Sequence, residues 1–320
     1  SFYERIGLED LLQRVPPKVL RLGELVGTVT PKAAMQLGLA PGTPVGMGGC
    51  DAYLATLGLG VTEPGKMAMG MGSSHLHYVL LEEPIYDEGL FGSFPDAVIP
   101  GLYAVEGGQA STGSVVEWFV RRYCGHIEQR AAAEGRSTKD ILNEEAEELP
   151  IGSEGLLMLD YFQGNRTPWV DSDVRGMLYG LSLKHTPVHI YRAIIESICY
   201  GTEHIVSTFA KYVERPTQIY ASGGPTKSKL WMQTHADVSN CPVHIPECIE
   251  SPCFGAAILG AVVSGTYGTL QEASKAMVRF DREIDPIQQN HEKYQFYYRK
   301  YTELYPLVSE WMRDVTVHSA

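Results

Sequence analysis

Asp51 stands after two glycines and a cysteine, in Gly46-Met47-Gly48-Gly49-Cys50-Asp51, and opens a run that reads as a helix. A lone carboxylate there has two readings. It can cap the helix, because a carboxylate oxygen accepts from the unpaired N–H groups of a helix start. It can also be a base, because the helix N-terminus favours its charged form and glycines leave room for a substrate hydroxyl.

Three glycine-rich stretches follow, each at the end of an expected strand. In Gly70-Met71-Gly72-Ser73-Ser74-His75, glycines would let backbone N–H groups approach an anion and the hydroxyls add donors. No Gly-Lys-Ser/Thr follows, so it is not a Walker loop, and a plain hairpin turn is the alternative. Glu106-Gly107-Gly108-Gln109-Ala110-Ser111-Thr112-Gly113 leads into a helix. It reads as a strand–helix loop with Ser111 or Thr112 near the cap, or as a phosphate site at a helix N-terminus. Ala221-Ser222-Gly223-Gly224-Pro225-Thr226-Lys227-Ser228 ends a strand, and its glycines would let a base or ribose lie on the backbone. A tight turn without ligand is again the alternative. Three such stretches at strand ends favour a nucleotide, because ligands of α/β folds sit at the carboxyl ends of strands.

The elements that must hold these residues can be read from period and punctuation. Residues 3–14 read as a short helix. Thr30 and Pro31 start a helix that Gly38 ends. Residues 44–49 read as a buried strand entering a tight turn, with a helix over 52–58. Residues 65–80 read as a hairpin and 101–108 as a strand before a helix at 113–123. The charged, alanine-rich residues 126–149 read as a helical insertion with a solvated face. Residues 155–162 read as a strand before the polar loop 164–176. The strongest helix spans 188–212, with Ile190, Ala193, Ile194, Ser197, Ile198, Gly201, Ile205 and Phe209 on one face. Then come a strand at 218–224, a helix from Ser228, a short strand at 242–246, a small-residue helix at 254–265 and an aromatic-rich helix at 290–315. Strands alternating with long helices predict an α/β layered architecture.

Composition narrows the function. The chain has 320 residues, 44% hydrophobic and 20% charged, a balance able to bury a core. A formal net charge of −12 argues against nucleic acid as the main partner. No apolar run approaches a membrane span of ~20 residues. Six cysteines without a CxxC pair suit free thiols in a reducing cytosol. His235, Cys241, His244, Cys248 and Cys253 match no standard zinc spacing, so no metal ligands are assigned. His75 and His77 alternate on a strand and read as structural. Arg166 reads as a partner of Asp171 or Asp173, with phosphate or sugar as the alternative. Lys227 and Lys229 read as a solvated helix start, and Trp118 and Trp231 as helix-face packing. No GxGxxG opens a βαβ unit, which speaks against a dehydrogenase.

In order along the chain, GGCDA at 48–52, GKMAMGMGSSH at 65–75, EGGQASTGSVVEWF at 106–119, GNRTP at 164–168, SGGPTKSKLWMQTHADVSNCPV at 222–243 and ESPCFGAAILGA at 250–261 form a set. With that set the chain resembles the C-terminal part of the FGGY carbohydrate kinases, of the actin/hexokinase/Hsp70 superfamily, over essentially its whole length. The EGGQ and GSSH stretches and LMLDYFQGNRTP resemble ribulokinase-type members more than xylulokinases or glycerol kinases.

The resemblance implies a ribonuclease-H-like (actin-like ATPase) α/β fold, a mixed sheet with flanking helices, as the second domain of a two-domain sugar kinase. Residues 1–58 would be the tail of the first, sugar-binding domain and 59–320 the second, nucleotide-binding domain with a C-terminal helix. Asp51 matches the family's catalytic base. Gly72, Ser73 and Ser74 match its phosphate turn, with Ser73 for the commoner Thr. Gly113 and Glu117 match nucleotide-contact positions, Glu117 standing where Gln is frequent. Gly223 and Gly224 match the adenosine loop, and Ser228 stands where Asn is common. The aspartate-rich phosphate loop of the relatives' N-terminal domain has no counterpart in this sequence. The activity implied is ATP- and Mg²⁺-dependent phosphorylation of a sugar hydroxyl, most simply on a pentulose such as ribulose. The alternatives are a xylulose or polyol (ribitol, erythritol) kinase and a non-catalytic nucleotide-binding protein of actin-like fold. The implied partners are the sugar and ATP, in the cytoplasm, with neither nucleic acid nor membrane; a homodimer is compatible. This chain alone is expected to be inactive.

Overall fold

The structure, a computed structural model, describes residues 2–16 and 18–319. It begins with helix α1 (Phe2–Arg5) and a 3-10 turn at Glu9–Gln13. The single helix expected over 3–14 is broken at Gly7, which takes a left-handed φ of +70°. Strands β1 (Leu25–Thr28) and β2 (Pro44–Gly46) pair antiparallel around α2 (Pro31–Leu37). The local signals of α2 act as expected. Thr30 Oγ1 accepts from Ala33 N at 3.3 Å, Pro31 takes the first turn, and Gly38 closes the helix at φ +69°.

Helix α3 (Asp51–Gly58) leads into β3 (Lys66–Met71), β4 (His75–Leu81), β5 (Ser93–Pro95) and β6 (Tyr103–Gln109). Three helices follow: α4 (Gly113–Tyr123), α5 (Gly125–Glu134) and α6 (Thr138–Glu147). A short ribbon of β7 (Leu157–Leu159) and β8 (Met177–Tyr179) precedes α7 (Pro187–Phe209). The chain ends through β9 (Gln218–Gly223), α8 (Lys229–Ser239), β10 (Val243–Pro246), α9 (Ser251–Val263), α10 (Leu270–Met277), β11 (Phe280–Ile284) and α11 (Gln288–His318).

Seven strands form one mixed sheet in the order β11-β10-β9-β3-β4-β6-β5. β3 pairs parallel to β9 and β9 to β10, while the β3–β4, β4–β6, β5–β6 and β10–β11 pairs are antiparallel. Strand alternation sends Met67, Met69 and Met71 to one face, against α4, α7, α8 and α11. Ala68, Tyr78, Leu80 and Tyr220 go to the other, against α3, α9 and α10. The mixed sheet with helices on both faces is the architecture expected.

Two expectations change. Residues 155–162 supply only the three-residue β7, which pairs with β8 outside the main sheet. The insertion at 126–149 is two helices parted by Gly135, at φ +65°, and it is not peripheral. Its stripe of Ile127, Ala131, Ile141, Leu142 and Ala146 is buried in the main core. Its charged face is laced by Arg130–Glu145 and Arg136–Glu144 pairs, each at 2.5 Å.

Helix α3 is fixed by a crossing of small residues. A Cβ on Gly255 of α9 would lie 2.7 Å from the Leu54 carbonyl carbon, and one on Gly58 would lie 2.9 Å from Gly255 N. The two backbones touch, which explains why the α9 sequence is rich in small residues.

Candidate active site

Register brings the three glycine stretches together. Gly223 pairs with Met71, Met71 with His75, and His75 with Gln109, so one row across the sheet ends β9, β3 and β6 and begins β4. The turn Gly72–Ser74 sits in the middle of that edge. On one side a Cβ on Gly113 would stand 3.2 Å from the Gly72 carbonyl carbon and well inside contact distance of its oxygen. On the other, Gly223 at φ +108° lies against Met71, where a Cβ would come within 2.9 Å of its carbonyl carbon. Any side chain at 113 or 223 would push the turn away.

The N-terminus of α4 has Thr112 at its cap, as one of the two sequence readings has it, and its donors point to the neighbouring turn. Thr112 N and Ser114 N donate to the Ser73 carbonyl at 2.9 and 3.2 Å, and Ser114 Oγ donates to it at 2.9 Å. The helix start thus holds the turn. Thr112 is the N-cap residue but makes no side-chain cap bond. Glu106, Gly107, Gly108 and Gln109 all lie in β6, which runs one residue past the strand expected over 101–108, and the loop is confined to 110–112. Among the described residues, the N–H groups and hydroxyls of Ser73 and Ser74 have no hydrogen-bond partner. They are the free donors of the turn.

Beside the turn opens a cleft of about 770 Å³. Of the sequence candidates, Gly72, Ser73, Gly113, Glu117, Gly224 and Ser228 line it; Ser74, Gly223 and Asp51 do not. Trp231, buried, and Lys227 line it too. The insertion supplies a wall: Ser137, Lys139, Asp140 and Asn143, none singled out from sequence, come from α6 or just before it. Glu117 straps α4 to that wall, accepting from Lys139 Nζ at 2.7 Å and Arg121 Nε at 2.6 Å. Those bonds hold its carboxyl below the usual range. Ser228 caps α8, accepting from Trp231 N at 3.2 Å, and donates to Asn143 Oδ1 at 3.0 Å.

Asp51 occupies the first position of α3, one residue inside the cap, which is Cys50. Its Oδ1 accepts from Ala52 N at 2.8 Å, and the side chain is exposed. Two residues on, Tyr53 packs edge-on against Tyr78, centroids 5.7 Å apart. Tyr78 OH donates to Glu106, and Arg166 pairs with the same carboxylate. The expected partners of Arg166, Asp171 and Asp173, are not used. Asp171 instead accepts from Tyr305 OH and Arg313 Nε, both at 2.6 Å. Arg166 lies across Gly108, whose Cβ would meet it at 3.2 Å, and stacks on Phe91 at 4.2 Å. Glu106 has no role assigned from the sequence, whereas Arg166 carries phosphate or sugar contact as its alternative reading; the two form one candidate pair. The available signal for Glu106 was a carboxylate beside two glycines at the end of an expected strand.

A buried polar layer braces the same sheet edge. Gln109 Nε2 donates to Asp160 Oδ2 and to the Ile198 carbonyl, both at 2.9 Å, and Tyr301 OH donates to Asp160 Oδ1 at 2.7 Å. Burial pushes the Asp160 carboxyl up to about 6. His75, His77 and His235 are fully buried, with His75 about 6 Å from each of the other two rings. All six cysteines are free thiols. Among the described residues no group of three or more His, Cys, Asp or Glu side chains forms a metal centre, and no helix is long and apolar enough to cross a membrane.

Comparison with known proteins gives this geometry a family. The profile of the FGGY family of carbohydrate kinases, C-terminal domain, matches residues 67–264. A ribulokinase of Anoxybacillus flavithermus is 37% identical over 96% of this chain and 57% of its own length. A ribulokinase of Geobacillus thermodenitrificans is 36% identical over 93% of this chain and 54% of its own. The chain therefore spans little more than half the length of these relatives. The crystal structure of a xylulose kinase from Rhodospirillum rubrum superposes with a TM-score of 0.81 at 30% identity, over 95% of this chain and 61% of that one. With the profile covering more than half of its residues, the chain belongs to the FGGY family of carbohydrate kinases, as a C-terminal portion.

Proposed function

We propose that the protein transfers the γ-phosphoryl group of ATP to a hydroxyl of a pentulose such as ribulose, with Asp51 as general base. The observation that carries this reading is the convergence of three glycine-bearing strand ends around one turn, with Gly113 and Gly223 leaving no room for any other residue. The free N–H and hydroxyl donors of Ser73 and Ser74 suit phosphate oxygens, and the cleft beside Gly224 suits the nucleoside. Residues 1–58 then complete a sugar-binding domain, and 59–320 form the nucleotide-binding one. The ribulokinase relatives favour ribulose as acceptor over xylulose or polyols. Six free thiols suit a reducing cytosol.

Phosphoryl transfer needs positioning and charge neutralisation more than covalent help. The acceptor hydroxyl attacks the γ-phosphorus, the bond to the β-phosphate oxygen breaks, ADP leaves, and the hydroxyl proton passes to the Asp51 carboxylate. With Oδ1 engaged by Ala52 N, the other oxygen is free to take it. The partly exposed guanidinium of Arg166, on the face that carries α3 and held by the buried Glu106, offers donors to polyol hydroxyls. The phosphate turn bears hydroxyls and no carboxylate, which fits a Mg²⁺ carried by the nucleotide's own phosphates and water.

The test is sugar-stimulated ADP release by the full-length protein across ribulose, xylulose, ribitol, erythritol and glycerol. Ribulose should give the highest kcat/KM. Preference for another of these would move the acceptor, and no sugar-stimulated release would remove the kinase reading in favour of a non-catalytic nucleotide binder.

A further inference from the structure

Asn143 is a polar side chain of the cleft wall held from two sides. Its Oδ1 accepts from Ser228 Oγ and from Tyr191 OH, each at 3.0 Å. Tyr191 is a buried residue of α7, and Ser228 is the cap of α8, so three elements converge on one amide. The Ser228 oxygen already accepts from Trp231 N, so its own proton goes to Asn143. A reversed amide would leave both hydroxyl protons without an acceptor. The orientation is therefore set, and the two N–H groups of Nδ2 are left for whatever enters the cleft. Among the described residues they have no partner.

Asp140 lies three residues earlier on α6, on the same helix face, and lines the same cleft. Among the described residues its carboxylate makes no hydrogen bond or ion pair. Lys139, just before Asp140, is held aside by Glu117. The wall thus presents an acceptor and a donor side by side. Adenine offers the complement along one edge, an exocyclic amino donor next to a ring-nitrogen acceptor. Guanine presents two acceptors on the corresponding edge, and its O6 would face a carboxylate.

Resting on the nucleotide reading of this cleft, we propose that α6 reads the base. Asn143 Nδ2 donates to a ring nitrogen of adenine, Asp140 accepts from its amino group, and Tyr191 and Ser228 are positioning residues that keep the amide turned. The helical insertion is then the specificity element of the nucleotide site, and the phosphate turn takes no part in choosing the base.

The experiment measures affinities of the full-length protein for MgATP, MgGTP and inorganic tripolyphosphate by calorimetry. Wild type should prefer ATP to GTP by about ten- to a hundredfold, the discrimination of one two-bond base contact. Asn143→Ala should lose most of that ATP affinity while tripolyphosphate binds as before. Tyr191→Phe should lose a smaller part, up to about tenfold, as expected for one hydrogen bond. Asp140→Asn should narrow the ATP–GTP gap, because an amide can turn to donate to O6. ATP affinity within twofold of wild type for Asn143→Ala would overturn the inference, as would an equal loss for ATP and tripolyphosphate. If wild type binds neither ATP nor tripolyphosphate, the nucleotide reading of the cleft fails and takes this one with it. If it binds both but ignores the base, only this one fails.

Discussion

Replacing Gly113 by alanine probes the geometry on which the phosphate site depends. The added methyl would stand well inside contact distance of the Gly72 oxygen, 3.2 Å from its carbonyl carbon and 3.7 Å from Ser73 Cα. Ordinary carbon contacts lie near ~3.5 Å or beyond, so the turn must retreat by about 1 Å. That retreat breaks the bonds that Ser73 O receives from Thr112 N, Ser114 N and Ser114 Oγ. At about 1 kcal/mol net for each bond, the turn loses roughly 3 kcal/mol of local stabilisation. A displacement of ~1 Å in a phosphate-positioning group lowers turnover by about a hundredfold. The assay is kcat and KM for ATP in sugar-dependent ADP release by the full-length protein, alongside thermal unfolding. Gly125→Ala is the control, since nothing lies within 4 Å of its added methyl. Gly113→Ala should lose about two orders of magnitude in kcat/KM for ATP while Gly125→Ala stays at wild-type rate. A Gly113→Ala enzyme within threefold of wild type would refute the reasoning.

Gly255→Ala drives a methyl into the Leu54 backbone at the α3–α9 crossing. It should lower stability by about 1–3 kcal/mol, the usual range for overpacking, and reduce kcat more than ATP affinity because α3 carries Asp51. Unchanged kcat in a destabilised protein would sever that link. Acid should unfold the domain early. Burial holds His77 and His235 down to about 3 and His75 well below the usual imidazole range. The unfolded chain, with histidines near ~6.5, takes up protons first, so their contribution is whole above that pH and is lost as pH falls toward ~3. Asp160, raised to about 6 by burial, acts in the opposite sense between roughly pH 4 and 6 and cancels about one histidine. His204, held down to about 4 by burial, adds to the histidine side, so the domain should lose stability as pH falls below ~6.5. A urea midpoint that stays level between about pH 7 and pH 5 would contradict it.

What the sequence disclosed was what neighbours along the chain decide. The Thr30–Pro31 start and Gly38 stop of α2, the hairpin through Gly72–Ser74 and the long apolar face of α7 all follow from local chemistry. What it withheld depends on register and on contacts far apart in sequence. Gly107 and Gly108 end the strand expected over 101–108, and nothing local shows what lies over them. In β6 they are strand residues whose missing side chains make room for Ile205 and Phe209 on one face and Arg166 on the other. Arg166 took as partner a carboxylate sixty residues back rather than the nearby Asp171, because β6 carries Glu106 beneath it. The insertion has the solvated charged face expected; only the packed helix pair shows its apolar stripe entering the core and another part of its surface walling the cleft. Asp51 lies at the first helical position, one residue before the helix expected over 52–58, and the N-cap residue, Cys50, makes no side-chain cap bond.

The central claim is that the carboxylate opening α3 takes the proton of the acceptor hydroxyl. Asp51→Asn in the full-length protein, assayed for ribulose-dependent ADP release and separately for ATP binding, tests it most directly. Loss of a general base predicts a fall in kcat of about 10²–10⁴-fold with ATP affinity unchanged. Turnover near wild type in a variant that still binds ATP would contradict it.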